Sequence, residues 1–154
     1  MIKTTVEQVR AAHKAFRRIN EEVRLSQKAA WRVARLLNQL KPVVRDFEET
    51  QLKLFLDAGG VQTGGGAQLE AIERLDDESS SEWATRQKNR RETLNGLSND
   101  IRELNKNEVE INYDSIPLTL FEDDEKTPAE KRRQFSANDF ADAGPFLTET
   151  EKKE

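Results

Sequence analysis

Between residues 26 and 57 the chain carries a hydrophobic seam that leaves few folds open to it. Ala30, Val33, Leu37, Leu40, Val44, Phe47, Gln51 and Leu54 follow one another in alternating steps of three and four residues. Only a helix lines such positions on one side, and the phase holds for more than three heptads. Trp31, Leu36, Val43 and Leu52 widen the apolar surface beyond a narrow two-stranded stripe. Pro42 lies inside the seam, where it removes a backbone donor and crowds the preceding turn. The phase crosses it without a slip, which predicts a kinked but continuous helix. Ser26 is the expected cap. Ending near residue 57, the helix is about 48 Å long.

"AGGVQTGGGAQ" stops it. Gly59 and Gly60 provide the left-handed conformations that end helices, and Gly64 to Gly66 predict a flexible hinge. This is no phosphate cradle, since Ala67-Gln68-Leu69 stands where Lys-Ser/Thr should open a helix. Leu69, Ile72 and Leu75 then predict a short helix. Ser79 and Glu82 form a capping box, after which Trp83, Arg90, Leu94, Leu97, Ile101 and Leu104 share a face to about Asn105. Gly96 weakens this helix by ~1 kcal/mol relative to alanine. Two long helices joined by a glycine loop are expected to fold back as an antiparallel hairpin. Both tryptophans are expected as core anchors. An earlier helix, with Val6, Val9, His13, Phe16 and Ile19 on one face, starts at the Thr4–Glu7 capping pattern and runs to about Asn20.

"NEVEINYDSIPLTLF", residues 107–121, is the stretch that reads as extended backbone. Val109, Ile111 and Tyr113 alternate with polar residues, and Ile116, Leu118 and Leu120 do so again around Pro117. A lone strand leaves its backbone groups unpaired. The available partners are the 116–120 run and the "MIKTT" terminus, giving a two- or three-stranded patch in which Pro117 suits only an edge or a bulge. An open edge there would let another protein add a strand, so these six residues are the candidate partner-binding set. Beyond "EDDEK", Thr127-Pro128-Glu130 and Ser136–Asp139 predict short helices, and "TETEKKE" a disordered tail. The expected fold is mainly α: a long antiparallel helical hairpin, an extra N-terminal helix, a small β patch and an extended C-terminal arm. The expected division is a domain over 1–121 and an acidic arm over 122–154.

Composition narrows the function. Of the chain, 35% is hydrophobic and 35% charged, a balance that suits helices with wide solvated faces. Cysteine is absent, which excludes disulfides and thiolate metal sites. One histidine, His13, cannot nucleate a usual zinc site, and no hydrolase elbow or His-Glu-x-x-His motif occurs. The run Glu122 to Glu125 lacks the spacing of a calcium loop. A non-enzyme is therefore expected, with no metal, cofactor or small-molecule substrate. Neither a membrane-spanning run nor a secretory signal core is present, so the expected location is the cytoplasm of a cell. The charge of −4 is unevenly spread. Residues 1–45 hold eleven Lys and Arg against three Glu, net +8, which leaves −12 for the rest of the chain. The two halves can attract each other, within a chain or between copies. The alternative is a nucleic-acid partner, contacted through Arg17, Arg18, Lys28, Arg32 and Arg35 as the candidate anion-binding residues. Against it stand the sequence pI of 5.3 and the absence of aromatic residues interleaved with the cations in a recognition-module pattern.

"AAWRVARLLNQLKPVVRDFEETQLKLFLDAGG" and, after a spacer, "LNKNEVEINYDSIPLTLFE" resemble small, functionally uncharacterised helical proteins encoded by tailed bacteriophages. Lys28 to Leu37, Gly59, Glu108 to Ile111, Ile116 to Leu118 and Ser136 to Phe140 carry the likeness, which spans most of residues 5–147. The triple-glycine loop and "DDESSSEWATRQKNRR" depart from it. The resemblance implies a bacterial host cell, a virion-associated or accessory role, and no catalytic residues. The leading expectation is a phage-type protein that binds a protein partner or itself.

Overall fold

In the computed structural model, residues 1–22, 25–121 and 137–148 are described. In chain order the elements are β1 (Ile2–Thr5), α1 (Val6–Glu22), α2 (Gln27–Asp57), β2 (Val61–Thr63), β3 (Gly66–Gln68) and α3 (Ser80–Lys106). After these come β4 (Glu108–Ile111), β5 (Ile116–Pro117), α4 (Ala137–Ala143) and β6 (Leu147–Thr148). The fold is mainly α, with sheets of two strands each. Met1–Arg45 with Lys106–Glu154 form one compact unit, and Asp46–Asn105 the other. This division is not the expected one at residue 121, because the described part of 122–154 is built into the first unit. The expectations for "EDDEK", for Thr127 to Glu130, for the Ser136 cap and for residues 149–154 of the "TETEKKE" tail lie outside the described residues, whereas Thr148 is in β6.

In the first unit, α1 buries Val9, Ala12, Phe16 and Ile19, and α2 buries Ala29, Val33, Leu36 and Leu40, all at 0% exposure in one cluster. The steps of three and four on each helix make two stripes that close on each other, so the helical hairpin sharing this core is α1–α2. No residue of α3 enters it. The α2 stripe sits one residue away from the expected seam at its start, on Ala29 rather than Ala30. The helix itself runs unbroken through Pro42, and Ser26 caps it, its Oγ accepting from the Ala29 N–H at 3.2 Å. Entry to α1 differs by a residue. Thr4 belongs to β1, so Thr5 becomes the cap, accepting from the Gln8 N–H at 3.3 Å.

The extended stretch finds its ladder at the N-terminus. β1 and β4 run antiparallel with Ile2 opposite Ile111, Lys3 opposite Glu110, Thr4 opposite Val109 and Thr5 opposite Glu108. Alternation then sends Ile2, Val109 and Ile111 toward the core while Lys3 and Glu110 pair in solvent at 3.4 Å. The 116–120 run does not fold back on residues 109–113. Ile116–Pro117 pairs in parallel with Leu147–Thr148, and Leu118–Phe121 winds into a 3-10 turn. Helix α4 packs on α1, where Asp139, 5% exposed, takes an ion pair from Arg18. That carboxylate, then Glu22, raises the pKa of the Arg18 guanidinium.

The second unit is held by caps and polar clamps. At the end of α2, Gly59 has φ +91° and donates to the Leu56 carbonyl, while Gly60 donates to the Phe55 carbonyl at 2.8 Å. Together these form a Schellman stop. The glycine segment is a β2–β3 hairpin turning at Gly64-Gly65, not an unstructured hinge. Residues 69–75 form no helix. The carbonyls of Glu70 and Glu73, which a helix would need as acceptors, instead accept from Arg90 and Arg86. The capping box at α3 is reciprocal: Ser79 N–H to Glu82 Oε2 at 2.9 Å, and Glu82 N–H to Ser79 Oγ at 3.2 Å.

Candidate functional site

The six candidate partner-binding residues are largely committed to the chain's own packing. Ile111 and Ile116 are 3% and 0% exposed and belong to the core, and Val109, Tyr113 and Leu120 pack against it. Leu118 is half-buried in the 3-10 turn. What the segment leaves open is backbone. The β1–β4 sheet has two strands, so among the described residues the outer edge of β4 has no strand beside it.

The five candidate anion-binding residues divide into two groups. Arg17 is paired with Glu21 at 3.2 Å, and Arg18 with Glu22 at 3.0 Å and with Asp139. These cations are already neutralised. Lys28, Arg32 and Arg35 lie on one exposed side of α2 in steps of four and three. Among the described residues, none of the three has a carboxylate within ion-pair distance.

Aromatic rings hold two of them. The Arg35 guanidinium lies 4.8 Å from the centroid of the Trp31 ring, and that of Arg32 5.6 Å from the centroid of Tyr113. Arg32 Nε also donates to the Tyr113 hydroxyl at 3.2 Å, which in turn donates to the Arg32 carbonyl at 3.1 Å. Tyr113 reaches α2 because the chain turns sharply after β4, with its N–H bonded to the Ile111 carbonyl at 2.8 Å. Trp31 is 57% exposed, not the expected core anchor. It lies about 160° around the helix from Val33, away from the buried stripe, which residue type alone does not reveal. Trp31, Arg32 and Arg35, with Asn112, Tyr113 and Asp114, line an open cleft of about 410 Å³. Asp114 is turned to the N-terminal ammonium at 3.9 Å. The sequence held a signal for this cleft: Trp31 follows Lys28 by three residues and precedes Arg35 by four, so all three share a side of α2. Tyr113 could be added only by the fold.

The second unit has a different character. Its buried apolar side chains are Phe47 and Leu97, at 2% and 7% exposure, whereas Leu56, Val61, Leu75 and Leu94 are 40–58% exposed. Arg86 organises its loop, donating to the Glu78 carboxylate at 2.7 and 3.0 Å and stacking 5.6 Å from the Trp83 centroid. That hydrogen bond, helped by the Leu75 N–H, holds the Glu78 carboxyl below the ordinary glutamate value.

Comparison with protein-family models, curated proteins and solved structures finds no match to this chain. Among the described residues, no helix is long and apolar enough to cross a membrane.

Proposed function

We propose that this chain is a non-enzymatic protein–protein interaction protein of the kind tailed bacteriophages encode. It works in particle assembly or as an accessory factor on a host component, with the second unit as its main contact surface. One observation above all supports this reading. Helix α3, about 40 Å long, buries one side chain, Leu97, while Leu94 on the same face stays 42% exposed. Trp83, Ile101 and Leu104 are only half-buried, and a helix whose apolar stripe is partly covered gains from a partner that covers the rest. The open edge of β4 offers a second place for a chain to add on.

Sedimentation velocity on the full chain over a range of concentrations tests the reading. The expected result is association with itself that Leu94→Glu abolishes without changing the circular dichroism spectrum. A chain that stays monomeric at its highest soluble concentration, and forms no complex dependent on Leu94, overturns it.

A further inference from the structure

We infer that the cleft between Trp31, Arg35 and Tyr113 is a binding site for single-stranded nucleic acid, separate from the contact surface of the second unit. Three observations converge. First, Lys28, Arg32 and Arg35 form a row about 10 Å long on one side of α2 and carry no carboxylate partner among the described residues. A row of unneutralised cations at these steps follows a phosphate backbone. Second, the fold adds Tyr113 to the aromatic that already stands among these cations on α2. Trp31 is 57% exposed, and Tyr113 stands against Arg32. Single-strand sites combine these same parts: cations for the backbone and rings or guanidinium planes on which bases stack. Third, Arg32 is pre-set by two bonds with Tyr113, and Arg35 by its place over Trp31, so little side-chain freedom remains to be lost on binding.

An acidic protein segment is the competing occupant. Protein interfaces place apolar residues at the centre and charges at the rim. Here polar and charged side chains make up most of the lining: Arg32, Arg35, Asn112, Tyr113 and Asp114, beside Met1 and Trp31. Asp114, also on the cleft, is within ion-pair distance of the N-terminal ammonium at 3.9 Å and of neither guanidinium.

The test uses the full chain and a fluorescein-labelled oligo(dT) strand of about a dozen nucleotides, read by anisotropy. Binding at low salt is expected, weakening about a hundredfold over a tenfold rise in salt if three cations meet phosphates. Trp31→Ala weakens it by about fivefold or more through lost stacking, and Trp31→Phe restores part of the loss. Arg32→Ala with Arg35→Ala weakens it further, whereas Arg17→Ala, which breaks only a pair with Glu21, leaves it unchanged. Circular dichroism of each variant checks the fold, which the exposed Trp31 does not support. Absence of binding at low salt overturns the inference, as does binding indifferent to Trp31→Ala. A poly-glutamate peptide that binds more tightly than the strand overturns it in favour of an acidic protein partner. None of these outcomes bears on Leu94, so the site and the self-association of the second unit stand or fall separately.

Discussion

Residues 29–40 of α2 and residues 94–104 of α3 are both helical segments with apolar residues at steps of three and four, yet they end in different surroundings. Ala29, Val33, Leu36 and Leu40 are 0% exposed, whereas the α3 segment buries Leu97 and leaves Leu94 42% exposed. The pattern is alike; what differs is the number of elements that converge on it. Around the α2 stripe stand α1, β4, the 3-10 turn at Phe121 and the end of α4, each contributing an apolar side chain to one cluster. In the second unit, α3 is accompanied by the end of α2, where Phe47 is buried, and by a glycine hairpin and a charged loop held mainly by caps and ion pairs. Amphipathic spacing states which side of a helix seeks cover. The rest of the chain decides whether cover is present.

The largest effect that sharpens this contrast comes from cutting each core. Phe16→Ala, at a fully buried position of the first unit, is expected to cost about 3–5 kcal/mol in urea denaturation. Leu97→Ala is expected at or below about 2 kcal/mol, the low end for such a change, because Leu97 is 7% exposed and lies outside the main core cluster. Equal costs would break the comparison.

A smaller effect separates the units by pH. Glu78 has a folded-state pKa below its ordinary 4.5, so the native state binds fewer protons as acid is added. Its contribution is full above that value and is lost as pH falls through the folded pKa. Amides of residues 69–79 are therefore expected to lose protection in acid, and Glu78→Gln to remove the dependence. Protection that is unaltered in acid would show that Arg86 does not clamp this loop.

Much of the fold was legible in the residues, for identifiable reasons. The α2 helix, its passage through Pro42, the Ser26 cap and the Ser79–Glu82 box follow from periodicity and capping, and the need of the extended stretch for a ladder left two partners, of which "MIKTT" is the one it takes. What was not legible depends on distant partners. Residues 69–75 have helical spacing, but Arg86 and Arg90 occupy carbonyls that the helix requires. Thr4 was drawn into a strand by residues more than a hundred positions away, which moved the α1 cap to Thr5. Trp31 invites burial by type and is placed in solvent by angle, where Arg35 covers it. Half of the candidate site was therefore visible as cations on one helical side, and the other half, Tyr113, arrived with the turn after β4.

Hydrogen exchange at low and high protein concentration tests most directly whether the second unit completes its core by association. The account predicts that α3 amides around Leu94 and Leu97 gain protection as concentration rises, while those of α1 around Phe16 stay equally protected throughout. Protection of α3 that matches α1 at low concentration and does not change with it would contradict the account.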